Sequence, residues 1–119
     1  MRTNQLRLVT FEQAKRLKQV GFDWENYRTY EFNGEVAVPI SEYNYNNSDN
    51  RISAPTVALA LKWFRDEKGF DYSIIKGRLS FEYSYSLLNG KQGKLHIRGY
   101  EAAESALLDE LLTILEKEG

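Results

Sequence analysis

Apolar and polar positions alternate along this chain in two periods, near 3.6 and near 2, and the changes of period mark its elements. The densest apolar run is Val57-Ala58-Leu59-Ala60-Leu61-Lys62-Trp63-Phe64-Arg65, directly after Ser53-Ala54-Pro55-Thr56. Trp63, Ala60, Phe64, Val57 and Leu61 share one helical arc with Leu59 at its edge, wider than a surface helix needs, which predicts a central helix covered on two sides. Pro55 fits a first helical turn, where its missing N–H has no partner to lose, and Ser53 or Thr56 can accept the orphan amides. The helix is predicted to run to about Lys68 and to stop at Gly69.

Upstream, Thr10 with Gln13 three residues on forms a capping box, and Gly21 closes a helix over about Phe11 to Val20. Its apolar side is thin (Ala14, Leu17, Val20, with Phe11 nearby), so it must lean on the rest of the domain. Tyr27 to Phe32 and Glu35 to Ile40 flank Asn33-Gly34, a two-residue hairpin signal that would pair Thr29 with Val38 and Tyr27 with Ile40. Pro39 lacks a ladder donor and puts its strand at an edge. Glu42 to Asn50 is rich in asparagine and tyrosine, has no periodicity and reads as a loop.

Three strands are predicted after Gly69: Phe70 to Lys76, Leu79 to Leu87 and Lys94 to Arg98. Leu79, Phe81, Tyr83, Tyr85 and Leu87 alternate with Ser80, Glu82, Ser84 and Ser86, giving a sheet with one dry and one wet side. Phe70, Tyr72 and Ile74 extend the dry side on one neighbour, Leu95 and Ile97 on the other. A last helix, about Tyr100 to Lys117, gathers Ala103, Leu107, Leu108, Leu111, Leu112, Ile114 and Leu115 on half its circumference. The expected fold is α+β: a single domain, helix, β-hairpin, helix, three-stranded antiparallel meander, helix, with the helices packed on one face of the meander. Residues 1–41 form its N-terminal helix and hairpin, 42–52 the Asn/Tyr-rich loop, and 53–119 the core.

At 119 residues, 42% hydrophobic and 13% aromatic, one core is sufficient without staples. The absence of cysteine removes disulfides, thiolate metal sites and cysteine nucleophiles, and suits a reducing cytoplasm. Met1 to Leu8 has no apolar run of signal-peptide length, and no segment approaches the roughly 18 apolar residues of a membrane span. A soluble, cytoplasmic protein is expected. The formal net charge of −1 argues against a grip on polyanions.

Candidate chemistry is sparse. His96 is the one histidine, and its alternation with Leu95 and Ile97 places it on the wet face, where a solvated role outweighs catalysis. Gly90-Lys91-Gln92-Gly93-Lys94 looks like a phosphate loop but lacks the spacing and the Ser or Thr after the lysine. Asp49 and its asparagines lack the glycine and terminal glutamate of a calcium loop. Glu104 lies nearest the apolar arc of the last helix; a buried glutamate would be a catalytic candidate, but a first-turn acid serving the helix dipole is the better reading. No cofactor or metal site is expected. The aromatics of the dry face alternate like a base-stacking platform, yet they are the apolar surface the helices need.

From Ser53 to Lys117 the order of elements resembles the double-stranded-RNA-binding domain, which implies that topology. The chain departs from that family at its last helix, where Gly99-Tyr100-Glu101-Ala102-Ala103-Glu104 replaces a lysine-rich start. Thr10-Phe11-Glu12-Gln13-Ala14-Lys15, Ser53-Ala54-Pro55-Thr56 with Leu59-Ala60 and Trp63-Phe64-Arg65, and Tyr100-Glu101 leading to Ala106-Leu107-Leu108 resemble the landmarks of small uncharacterised proteins of anaerobic gut bacteria and their phages or prophages. That resemblance implies a cytoplasmic accessory protein of a mobile element and assigns no site residues.

The expected function is therefore non-enzymatic protein binding, as a monomer or homodimer, through Tyr43, Tyr45, Asn46 and Asn47, whose side chains combine rigid contact area with adaptable hydrogen bonds. The alternative is weak nucleic-acid binding through the locally basic Arg7, Lys15, Arg16 and Lys18, with Arg2 near them.

Overall fold

A computed structural model describes residues 7–26, 28–37, 44–47, 51–77, 81–86 and 92–118. Thr10 Oγ1 accepts from the Gln13 amide while Gln13 Oε1 accepts from the Thr10 amide, so the capping box forms and starts helix α1, Phe11–Val20. The left-handed φ of +98° at Gly21 turns its own N–H to Lys18 O and that of Phe22 to Leu17 O, which satisfies the last carbonyls.

The hairpin forms with a different register. Strands β1, Thr29–Tyr30, and β2, Val36–Ala37, pair Thr29 with Ala37 and Tyr30 with Val36, one residue off the expected Thr29 and Val38. The reason lies in the turn. Gly34 N–H donates to Glu31 O and Glu31 N–H to Glu35 O, so the loop has three residues, with Gly34 at φ +89° as the bulge residue of a type I turn. Asn33 Oδ1 holds the Glu35 amide at 3.0 Å. Tyr27, Val38, Pro39 and Ile40 lie outside the described residues, but β2 is an outer strand, as the proline after it predicts.

A short strand β3, Ile52–Ser53, also pairs with β1, giving the order β2-β1-β3. This corrects the start of the central helix. Ser53 belongs to the sheet, Pro55 accepts from the Val9 amide ahead of the helix, and Thr56 is the N-cap, its hydroxyl accepting from Leu59 N–H. Helix α2 is Val57–Lys68, ended by Gly69.

Strands β4, Asp71–Lys76, β5, Phe81–Ser86, and β6, Gln92–Ile97, form the antiparallel meander, with Ile74, Tyr83 and Leu95 in one row and Ile75, Glu82 and His96 in the next, on the other face. The two faces form in the expected register, but Leu95, expected on the dry side, is 46% exposed there. Helix α3, Tyr100–Glu118, packs on all three of these strands and also on α1 and α2, so it is the element around which the core assembles. Leu107, Leu108, Leu111 and Leu112 are fully buried along it. Trp63 and Phe64 are buried as expected, although the described rings against Trp63 are Phe22 and Phe64, and Phe70 packs on Phe64 at the head of β4.

Candidate functional site

In the described part of the asparagine- and tyrosine-rich segment, residues 44–47, Tyr45 and Asn46 are committed to the fold. Tyr43 lies outside the described residues. Tyr45 opens a 3-10 turn, Tyr45–Asn47, and is only 7% exposed. Asn46 acts as a clamp, its Nδ2 donating to Phe22 O at 2.9 Å and its Oδ1 accepting from the Ser53 amide at 2.8 Å. Asn46 thereby holds the small sheet and the segment after α1 together, and of the expected contact residues only Asn47 is both described and exposed. The physical reason is that a buried backbone N–H and C=O need partners, and asparagine supplies one of each.

The basic segment is likewise neutralised from within. Arg16 donates from Nε and Nη2 to the two Glu116 carboxylate oxygens at 2.8 and 2.9 Å and from Nη2 to Thr113 Oγ1, with Asp109 at 3.6 Å. This hydrogen bonding raises the Arg16 pKa and holds the Glu116 carboxyl below the usual range. Lys15 pairs with Glu12 at 2.7 Å, Arg7 with Glu101 at 3.7 Å, and Lys18 donates to Arg51 O at 2.8 Å. Beside Arg16, Gln13 Nε2 reaches Ser105 O, Ser105 Oγ and Asp109 Oδ1, so one side of α1 is a polar clasp on α3. Charge that looks like a phosphate-binding stripe in sequence is spent on intramolecular acids at Arg7, Lys15 and Arg16 and on a backbone carbonyl at Lys18.

Two other surfaces among the described residues bring together polar groups. One is the outer face of the meander. Ser73, Ile75, Lys94 and His96 are exposed there, with Ile75 at 58%. Ser73 and Ser84 hydroxyls meet at 2.9 Å, and Glu82 lies between Lys94, at 3.5 Å, and His96, at 3.7 Å. Among the described elements, the helices that pack on the meander all lie on its other side, where Tyr83 is buried. A shallow concavity of about 570 Å³ runs along Asp71, Ser73, Ser84, Gln92 and Lys94.

The other is a cleft of about 290 Å³ between α2, β4 and the first turn of α3, lined by Ala58, Leu61, Arg65, Tyr72, Ile74, Tyr100 and Glu104 among others. Burial raises the Glu104 pKa above the usual carboxylate range and Glu101 adds to it, against the Tyr100 hydroxyl, which donates to Glu104 Oε2 at 3.5 Å, and Arg7. Burial also raises both phenols, with the Glu104 carboxylate contributing at each; at Tyr72 the Arg65 guanidinium opposes it, lying 4.5 Å from the ring centroid. Sequence singled out Glu104 alone. The spacing of Tyr100 and Glu104, four residues apart on a helix, was the legible signal, whereas Arg65 and Tyr72 arrive from other elements.

Among the described residues, no cluster of three acidic or histidine side chains could hold a metal ion, and no helix is long and apolar enough to cross a membrane. No family model matches the chain, and no curated protein or solved structure matches it.

Proposed function

We propose that this protein is a non-enzymatic accessory domain that acts by protein–protein contact, with the outer face of the meander as its contact surface. One observation carries the reading: among the described elements, one face of the three-stranded meander is left without a helix while the other is covered by α3. The face combines an exposed apolar residue, Ile75 on the outer strand β4, with the polar groups of Ser73, Glu82, Ser84, Lys94 and His96 across the sheet, a mixture of apolar area and hydrogen-bonding groups of the kind interfaces use. Both outer strands, β4 and β6, add backbone donors and acceptors along their free edges among the described residues. The likeness to proteins of gut bacteria and their phages supports a cytoplasmic role in a mobile element. Nucleic-acid binding through α1 draws less support, since Arg7, Lys15 and Arg16 each face a carboxylate and Lys18 a backbone carbonyl.

Photo-crosslinking in the native host tests this, with the reactive group placed at Ile75 and, as a control, at Asn47. A discrete protein adduct from Ile75 that disappears when Lys94→Glu and His96→Glu are added supports the face. An adduct of twice the chain mass identifies the partner as a second copy and stays within the reading. No adduct from Ile75, or one removed by nuclease, overturns it.

A further inference from the structure

We propose that the cleft between α2, β4 and the first turn of α3 binds a small zwitterion of the α-amino-acid class, its ammonium at Glu104 and its carboxylate at Arg65. Four observations converge on that chemistry. The volume, about 290 Å³, sits at the lower end of the range for small-molecule sites, roughly 300–1,000 Å³, and fits one amino acid better than a nucleotide or a peptide. The neighbouring charges are already satisfied, Glu101 by Arg7 and Asp66 by Lys62, while Arg65 and Glu104 enter no ion pair among the described residues, including with each other. One unpaired guanidinium and one unpaired carboxylate therefore line a single cavity.

Each of the two is also presented for use. Arg65 holds its guanidinium carbon 4.5 Å from the Tyr72 ring centroid, a cation–π contact that spends none of the N–H groups with which arginine grips a carboxylate in parallel. Glu104 receives a hydrogen bond from Tyr100 at the long distance of 3.5 Å, to one oxygen, so its second oxygen is open to an ammonium donor. Ala58, Leu61 and Ile74 supply an apolar wall for the remainder of the ligand. A simple cation would leave Arg65 facing like charge, and a simple anion would do the same at Glu104. A ligand carrying both charges meets both groups.

Titration of the ¹⁵N-labelled full chain with single L-amino acids at millimolar concentration, followed by amide chemical shifts, tests the site. A subset is expected to shift Ala58, Leu61, Arg65, Tyr72, Ile74, Tyr100 and Glu104 together. For the tightest amino acid, the N-acetyl form and the carboxamide form should each bind at least about tenfold more weakly, as should the unmodified ligand to Glu104→Gln and to Arg65→Met. No shift at these amides with any amino acid overturns the proposal, and so do blocked forms that bind as well as the parent. The blocked ligands are tested on the wild-type protein, so the result stands whether or not either variant folds.

Discussion

Toward α1, helix α3 presents Ser105, Asp109, Thr113 and Glu116 to Gln13 and Arg16, and every one of those groups is bonded across the gap. Toward α2 and β4 the same helix presents Tyr100 and Glu104 to Tyr72 and Arg65, and there the two charges remain unpaired. One side of α3 uses polarity to fasten an element whose apolar stripe is too thin to hold itself. The other keeps a carboxylate partly out of water with a single weak donor. Polar groups in the clasp should therefore contribute stability, and the charge in the cleft should subtract from it.

The largest effect belongs to the core that both sides share. Phe64→Ala should cost about 3–5 kcal/mol in urea denaturation, because its buried ring meets Trp63 and Phe70 and neither can close over the space it leaves. If that variant unfolded at the wild-type midpoint, clasp and cleft would not rest on a common core. Next, Gln13→Ala should lose about 1–3 kcal/mol, since it removes a buried amide that bonds Ser105, Asp109 and the Thr10 cap at once. A change within about 0.5 kcal/mol would place the strength of the clasp in its apolar contacts instead.

Glu104→Gln should act in the opposite sense. A carboxyl whose pKa is raised on folding favours the native state most when protonated, below its unfolded pKa, and that advantage is lost as pH rises through the folded value. The glutamine variant should therefore melt higher than wild type at neutral pH, and the gap should close as the pH falls to about 4. A lower Tm at neutral pH would mean that the ionised carboxylate is better satisfied than the long Tyr100 bond implies. The smallest effect is expected at His96→Ala on the exposed face, a change of no more than about 0.5 kcal/mol by urea titration, because its contact to Glu82 is a solvated 3.7 Å pair.

What could be read from sequence and what could not divides along the range of the interactions involved. Thr10, Gln13 and Gly21 define α1 through bonds to residues within a turn of themselves, and the alternation from Phe81 to Ser86 fixes its faces without reference to any partner. The hairpin register failed by one residue because Asn33-Gly34 serves equally as a two-residue loop or as the end of a three-residue one, and the structure takes the second, closed by the Glu31 and Gly34 backbone bonds with Gly34 at φ +89°. Strand β3 carries no periodic signal in Ile52–Ser53; it exists because Thr29 and Tyr30 offer a ladder to it. Tyr45 and Asn46 have the composition of a contact loop, and only the fold shows Asn46 already bonded to Phe22 and Ser53. For the basic segment, the acids that neutralise Arg16 lie about a hundred positions away, out of reach of any local charge count.

That same separation governs how the chain comes off the ribosome. Gln13 and Arg16 find their partners 92 to 100 positions later, in the last helix described. Until α3 is made, α1 can pack on β3 but the side that carries Gln13 and Arg16 has no cover, and closing so long a loop carries an entropic cost that the contacts with α3 offset. The clasp between α1 and α3 therefore forms only once α3 has been made. A nascent chain stalled before Leu107 leaves the α3 side of α1 open to water, and transiently exposed surface of that kind is what chaperones bind.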